Sequence, residues 1–84
     1  MSYQIIFSKS SREIIKKLDT VTKKRIGKRI RAYSKDPLAY AKRLITSNIG
    51  SYRWRIGDYR VIFDVKSNTI IVLKIGHRKE IYKK

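Results

Sequence analysis

Gly57-Asp58 sits between Tyr52-Arg53-Trp54-Arg55-Ile56 and Tyr59-Arg60-Val61-Ile62-Phe63, and this stretch constrains the fold more than any other. Apolar and polar residues alternate on both sides of a two-residue break with glycine at its first position, the signal of a β-hairpin closed by a type II′ turn. Such a loop admits one register: Ile56 opposite Tyr59, Trp54 opposite Val61, and Tyr52 opposite Phe63. Side chains alternate with period two, so these six share one face. The other face then carries Arg53 beside Ile62, and Arg55 directly across from Arg60. Like charges on one rung repel, at a cost of tenths of a kcal/mol to about 1 kcal/mol. Arginines crowded in this way are expected to serve an anionic ligand, with Arg60 contributing nothing to stability.

Upstream, Tyr3 to Phe7 alternates as a strand with Tyr3, Ile5 and Phe7 on one face. Ser10 and Glu13 form a capping-box pattern that starts a helix. Ile14, Ile15 and Leu18 supply its apolar stripe, and Arg12, Lys16 and Lys17 face water. Asp19-Thr20 ends it and caps a second helix to about Tyr33, with Val21, Ile26, Ile30 and Tyr33 inward. Lys23, Lys24, Lys28, Arg29 and Arg31 lie outward, as a solvated basic face or a patch for backbone phosphates. Asp36-Pro37 closes the helical region, because the residue before proline is pushed out of the α region. Leu38 to Ile49 reads as a connector that docks Leu38, Tyr40 and Leu44 on the core.

Beyond the hairpin, Lys66-Ser67-Asn68 reads as a three-residue loop, with Asn68 left-handed, leading into a strand from Thr69 to Ile75. In that register Phe63 faces Ile71, Val61 faces Leu73, and Arg60 faces Lys74. Arg78 continues the same basic face, and Ile70 and Val72 also point there, where something apolar must cover them. The expected class is α+β, one domain over residues 1–84: an N-terminal strand, a helical hairpin, then an antiparallel three-strand meander.

Charge narrows the partners. The chain has 22 Lys plus Arg against 6 Asp plus Glu, a formal charge of +16 over 84 residues. Solubility does not require that excess, and self-repulsion weakens the compact state, so a polyanionic partner is implied. The longest apolar run, Ile70-Ile71-Val72-Leu73, is far too short to cross a membrane, and no signal-peptide core follows Met1. Without cysteine, the one histidine cannot build a structural zinc site. A soluble, cytoplasmic protein without metal or small-molecule cofactor is the expectation.

Two segments carry a resemblance: Tyr52-Arg53-Trp54-Arg55-Ile56-Gly57-Asp58-Tyr59-Arg60 and Gly76-His77-Arg78-Lys79-Glu80-Ile81-Tyr82. In residue type and spacing they resemble the signature of the RelE/ParE toxin superfamily, and the layout matches over nearly the whole chain. The resemblance implies a toxin of a type II toxin–antitoxin pair that cuts mRNA in the ribosomal A site. It implies metal-free attack of a ribose 2′-OH on its own 3′ phosphate, leaving a cyclic phosphate and a 5′-hydroxyl. On this reading Arg60 and Arg78 match the arginines at the phosphate and the leaving group, and Tyr82 matches a tyrosine that orients or stacks RNA. Arg53 and Arg55 stand where well-known members carry lysine.

Guanidinium forks fixed on a developing phosphorane supply several kcal/mol of stabilisation, and tyrosine stacks on unpaired bases. Lys74, His77, Lys79, Lys24 and Lys28 complete the expected RNA contacts. His77 points to the core side by strand parity, Glu80 looks like an ion-pair partner, and the general base is unassigned. An acidic, partly disordered antitoxin is the implied partner, covering Ile70, Val72 or the helix grooves. Two other readings stand beside this one: a ParE-like inhibitor of DNA gyrase, and an RNA-binding module without chemistry. Arg60, Arg78 and Tyr82 together favour the RelE branch over the ParE branch.

Overall fold

The computed structural model describes residues 3–45 and 48–82, so part of the expected connector lies outside the described residues. In chain order the elements are β1 (Gln4–Phe7), α1 (Lys9–Lys17), α2 (Thr20–Tyr33), β2 (Ala41–Arg43), β3 (Tyr52–Ile56), β4 (Tyr59–Lys66) and β5 (Thr69–His77). They form one five-stranded sheet, ordered β1-β5-β4-β3-β2, in which β1 runs parallel to β5 and the other pairs are antiparallel. Both helices pack on one face, where Ile26 and Ile30 meet Trp54, Ile56, Val61, Phe63, Ile70, Val72 and Ile75. The α+β expectation holds. What the connector hid is a short edge strand, β2, whose Ala41 pairs with Trp54.

The β3–β4 hairpin has the register its turn dictates, with Trp54 against Val61 and Arg55 against Arg60. Gly57 takes φ +57°, the left-handed value that glycine adopts without steric cost, while Asp58 does not. Trp54 and Phe63 are fully buried with ring centroids 4.1 Å apart, and the Trp54 indole donates to the Pro37 carbonyl at 3.0 Å. Burying each such aromatic contributes roughly 1.5–3 kcal/mol.

The next hairpin departs from expectation. Lys66 pairs with Thr69, so Ser67-Asn68 is a two-residue turn, and Ser67 rather than Asn68 takes the positive φ. That turn would by itself put Lys74 on the core face. A β-bulge corrects the parity: Phe63 pairs with Val72 and Ile62 with Lys74, leaving Leu73 unopposed. Ile70 and Val72 are therefore fully buried core residues and do not lie on the basic side, and Arg60 faces Gly76 and not Lys74. The bulge is tied down by the β1–α1 junction. Ser8 donates its backbone N–H to the Val72 carbonyl at 2.9 Å and its hydroxyl to the Leu73 carbonyl at 2.9 Å.

The same tie moves the first helix cap. Ser8, not Ser10, is the N-cap, its hydroxyl accepting from the Ser11 N–H at 3.0 Å. The cap of α2 is Asp19, accepting from the Thr22 N–H at 3.2 Å, as its sequence suggests. Ile26, Ile30 and Tyr33 face inward, whereas Val21 is 67 % exposed and lies outside the packed stripe. Leu38 and Tyr40 do not dock as core residues: both are exposed, Tyr40 stacking on Tyr33 at 4.6 Å.

The far face of the sheet is covered after all, at other residues than expected. Ile62 is fully buried there, and a Cβ added to Gly50 would lie 2.8 Å from Ile62 and 2.9 Å from Leu73. Beyond β5, Ile81 folds back onto Gly76, whose missing side chain gives it room.

Candidate nucleic-acid interface

Arg60 is the centre of the basic face. It is only 8 % exposed, yet its guanidinium has a firm seat: Nη1 donates to the carbonyls of Gly57 and Tyr59, both at 3.0 Å. The hairpin turn that sets the register thus also holds the arginine that projects from it. Burial chiefly lowers its pKa, followed by the like charges of Arg55 and Arg53; the Tyr82 phenol opposes the shift, and Arg78 adds to it. These four groups are the charged and polar surroundings of Arg60, so the fold gathers the set named from the sequence. A guanidinium held among other cations gains most from an incoming anion, because the anion relieves both desolvation and repulsion.

The neighbours are held unequally. Arg53 lies between Ile62 and Lys42 on the adjoining strands and is half-buried, with a buried Nε that has no hydrogen-bond partner. Arg55 is exposed. Arg78 is anchored to the hairpin turn: its N–H donates to the Asp58 carbonyl at 2.7 Å, and its Nε lies 3.5 Å from the Asp58 carboxylate. Sequence reasoning missed Asp58 beyond its place in the turn. Tyr82 is 49 % exposed and follows the buried Ile81. Lys74 is half-buried on the same face, opposite Ile62, and Lys79 is exposed on the tail.

Three other expected contacts are elsewhere. His77 pairs with Tyr59 on the helix-covered side, its ring edge-on to Tyr59 at 5.7 Å, and its Nδ1 accepts the Lys79 N–H at 3.2 Å. Parity had placed it there, and it does not join the arginines. Lys24 and Lys28 flank a groove between α1 and α2, floored by Phe7, Ile15, Leu18 and Ile26, on the helix layer across the sheet from Arg60. No group of three His, Cys, Asp or Glu side chains gathers among the described residues. The positive charge this face offers a ligand is carried by guanidinium and ammonium groups.

Comparison with known proteins shows the family. The family model of the ParE toxin of the type II toxin–antitoxin system, parDE, matches residues 5–82. The chain belongs to the ParE toxin family. Its placement in the RelE/ParE superfamily agrees with the two motifs that carry the resemblance, although the matching family bears the name of the other branch. Among solved structures, this ParE-family chain is similar to one in the toxin–antitoxin complex RelBE2 from Mycobacterium tuberculosis. The TM-score is 0.83 at 23 % identity, over 93 % of this chain and 100 % of that one. It is similar to a chain of the archaeal RelE–RelB complex from Pyrococcus horikoshii, at TM-score 0.77 and 24 % identity over 95 % and 99 % of the two chains. The complex from Methanococcus jannaschii matches at 0.71 and 28 %, over 93 % and 95 %. No curated protein sequence matches the chain. The family is that of a type II toxin; among the described residues, no helix is long and apolar enough to cross a membrane.

Proposed function

We propose that this toxin is a ribosome-dependent endoribonuclease that cuts mRNA in the A site by 2′-OH transesterification without a metal ion. The observation that carries the proposal is Arg60: a buried guanidinium, held by two carbonyls of its own turn, with Arg53, Arg55, Arg78 and Tyr82 around it. In the reaction, the ribose 2′-oxygen gives up its proton to water and bonds to the neighbouring phosphorus, while the bond to the 5′-oxygen of the next nucleotide breaks and that oxygen takes a proton from water. The products are a cyclic phosphate and a 5′-hydroxyl. Arg60 and Arg53 would meet the charge on the equatorial oxygens, Arg78 the leaving oxygen, and Tyr82 would stack on the unpaired base. With His77 turned away, charge stabilisation and positioning by the ribosome carry the rate.

The partner is an antitoxin, in keeping with the RelE–RelB complexes that share this fold. An acidic chain suits the +16 charge. Since Ile70 and Val72 are buried, the surface left for it is the basic-rimmed groove between α1 and α2. A second reading, a ParE-like inhibitor of DNA gyrase in the cytoplasm, is favoured by the family model.

One experiment decides among them: purified toxin incubated with mRNA, with and without programmed ribosomes, in parallel with gyrase supercoiling. Cleavage only on ribosomes supports the proposal. Blocked supercoiling with intact mRNA replaces it by the second reading, and neither effect leaves a binding module.

A further inference from the structure

The basic face does not stop at β3. The edge strand β2 pairs only as far as Trp54, so the sheet edge at Arg55 and Ile56 is not covered by it. On that edge Arg55 meets a trench of about 570 Å³ that it lines with Arg25, Arg29 and Tyr33 of α2 and with the Gly57-Asp58 turn. Arg25, Arg29 and Tyr33 recur every four residues, which puts them on one stripe of the helix. The Arg25 guanidinium lies 3.8 Å from where a Gly57 Cβ would stand, so the trench opens directly onto the turn that seats Arg60. Tyr40 stacks on Tyr33 at 4.6 Å and 18°, and 58 % of it is exposed. A solvent-facing ring thus stacks on one wall of a trench lined by three arginines, and the carboxylate that also lines it, Asp58, is engaged by Arg78 at 3.5 Å.

We infer that Arg25, Arg29 and Arg55, with the stacked Tyr40, form a second subsite that grips the phosphate backbone and one base of the single-stranded RNA leaving the Arg60 face. Arg55 is the shared residue: it stands across one rung from Arg60 and also lines the trench. Guanidinium forks take phosphate oxygens in pairs, and an exposed ring accepts any base. An acidic polypeptide would satisfy the arginines but would gain little from the exposed ring, so RNA fits the surface better. The inference rests on the endoribonuclease reading and extends the path of its substrate.

The test is fluorescence anisotropy with a labelled oligoribonucleotide whose riboses are 2′-O-methylated, so that binding is read without cleavage, over a series of salt concentrations. Arg25→Ala/Arg29→Ala should weaken binding and flatten the plot of log affinity against log salt by about 1.4, the value for two lost contacts to a single strand. Lys16→Ala/Lys17→Ala removes the same charge from exposed positions on α1, a helix packed against β5 at the other end of the sheet, and should leave the slope within a few tenths. Tyr40→Ala should cost roughly tenfold in affinity with the slope unchanged. All five residues are exposed, and thermal unfolding verifies that each variant is folded.

Equal slopes for the arginine and lysine pairs would reduce the trench to generic charge and overturn the inference. So would displacement of RNA by poly-glutamate with the same potency from wild type and Tyr40→Ala, which would assign the trench to an acidic protein. If these variants bind like wild type while ribosomal cleavage is intact, the inference falls and the endoribonuclease reading stands. If the slopes follow expectation but no mRNA is cut, the subsite stands and the endoribonuclease reading falls.

Discussion

Replacing Arg60 probes the turn and the chemistry at once. From the sequence, like charges around Arg60 imply that Arg60→Ala leaves the melting temperature unchanged or slightly raised. The structure reverses the sign. Two hydrogen bonds from a charged donor, each 3.0 Å long, are lost with the side chain, and such bonds are worth about 1.5–3 kcal/mol apiece. Part of that is recovered, because Gly57 is exposed and water can reach its carbonyl, and repulsion from Arg55 across the rung is relieved by up to about 1 kcal/mol. The net cost is about 2–3 kcal/mol, or roughly 10–20 °C in Tm for a chain of this size. Cleavage on programmed ribosomes, measured in single turnover well below both melting temperatures, should fall about a hundredfold, as expected on losing one transition-state donor. Arg60→Lys should recover part of both losses, since an ammonium keeps the charge but not the fork. Ile30→Val, a core change costing about 1 kcal/mol across the sheet, controls for stability and should leave cleavage intact. An Arg60→Ala protein that melts at or above wild type would refute the seat assigned to the guanidinium. One that loses stability yet cleaves normally would remove Arg60 from the active site.

Ser8→Ala should destabilise by about 1–2 kcal/mol, since it removes both the α1 cap and the bond to the bulge carbonyl, while Ser10→Ala should be neutral; urea unfolding of the pair checks which serine is the cap. Gly50→Ala should cost about 1–3 kcal/mol in the same assay, because the added Cβ would stand within 3 Å of the side chains of Ile62 and Leu73. Asp19 has its pKa lowered, first by the hydrogen bond from Thr22, so its contribution is present above the ordinary value of 3.8 and fades as pH falls through the lower folded value. Thermal scans against pH should therefore show wild type losing its advantage over Asp19→Ala in that acid range, and a gap that widens on acidification would contradict the cap.

Local chemistry settles those parts of the molecule whose alternatives are few. Gly57-Asp58 admits one two-residue turn, so the β3–β4 register, the burial of Trp54, and Arg55 facing Arg60 all follow from residues adjacent in the chain. Asp19 caps α2 for the same reason. Lys66-Ser67-Asn68-Thr69 has no such restriction, and either a two- or a three-residue loop can be drawn through it. The choice fell to partners about 60 residues away: Ser8 holds the Val72 and Leu73 carbonyls, and the bulge lets Ile70, Val72 and Ile75 all reach the core. Buried backbone groups must find partners, and β1 supplies them only once the sheet is assembled. The basic face divides in the same way. Which arginines share it was legible from alternation, because the period of a strand is a local property. That Arg60 is seated by its own turn, that Arg78 leans on Asp58, and that Ile81 needs the bare Cα of Gly76 depend on how the tail folds back, and no run of adjacent residues encodes that.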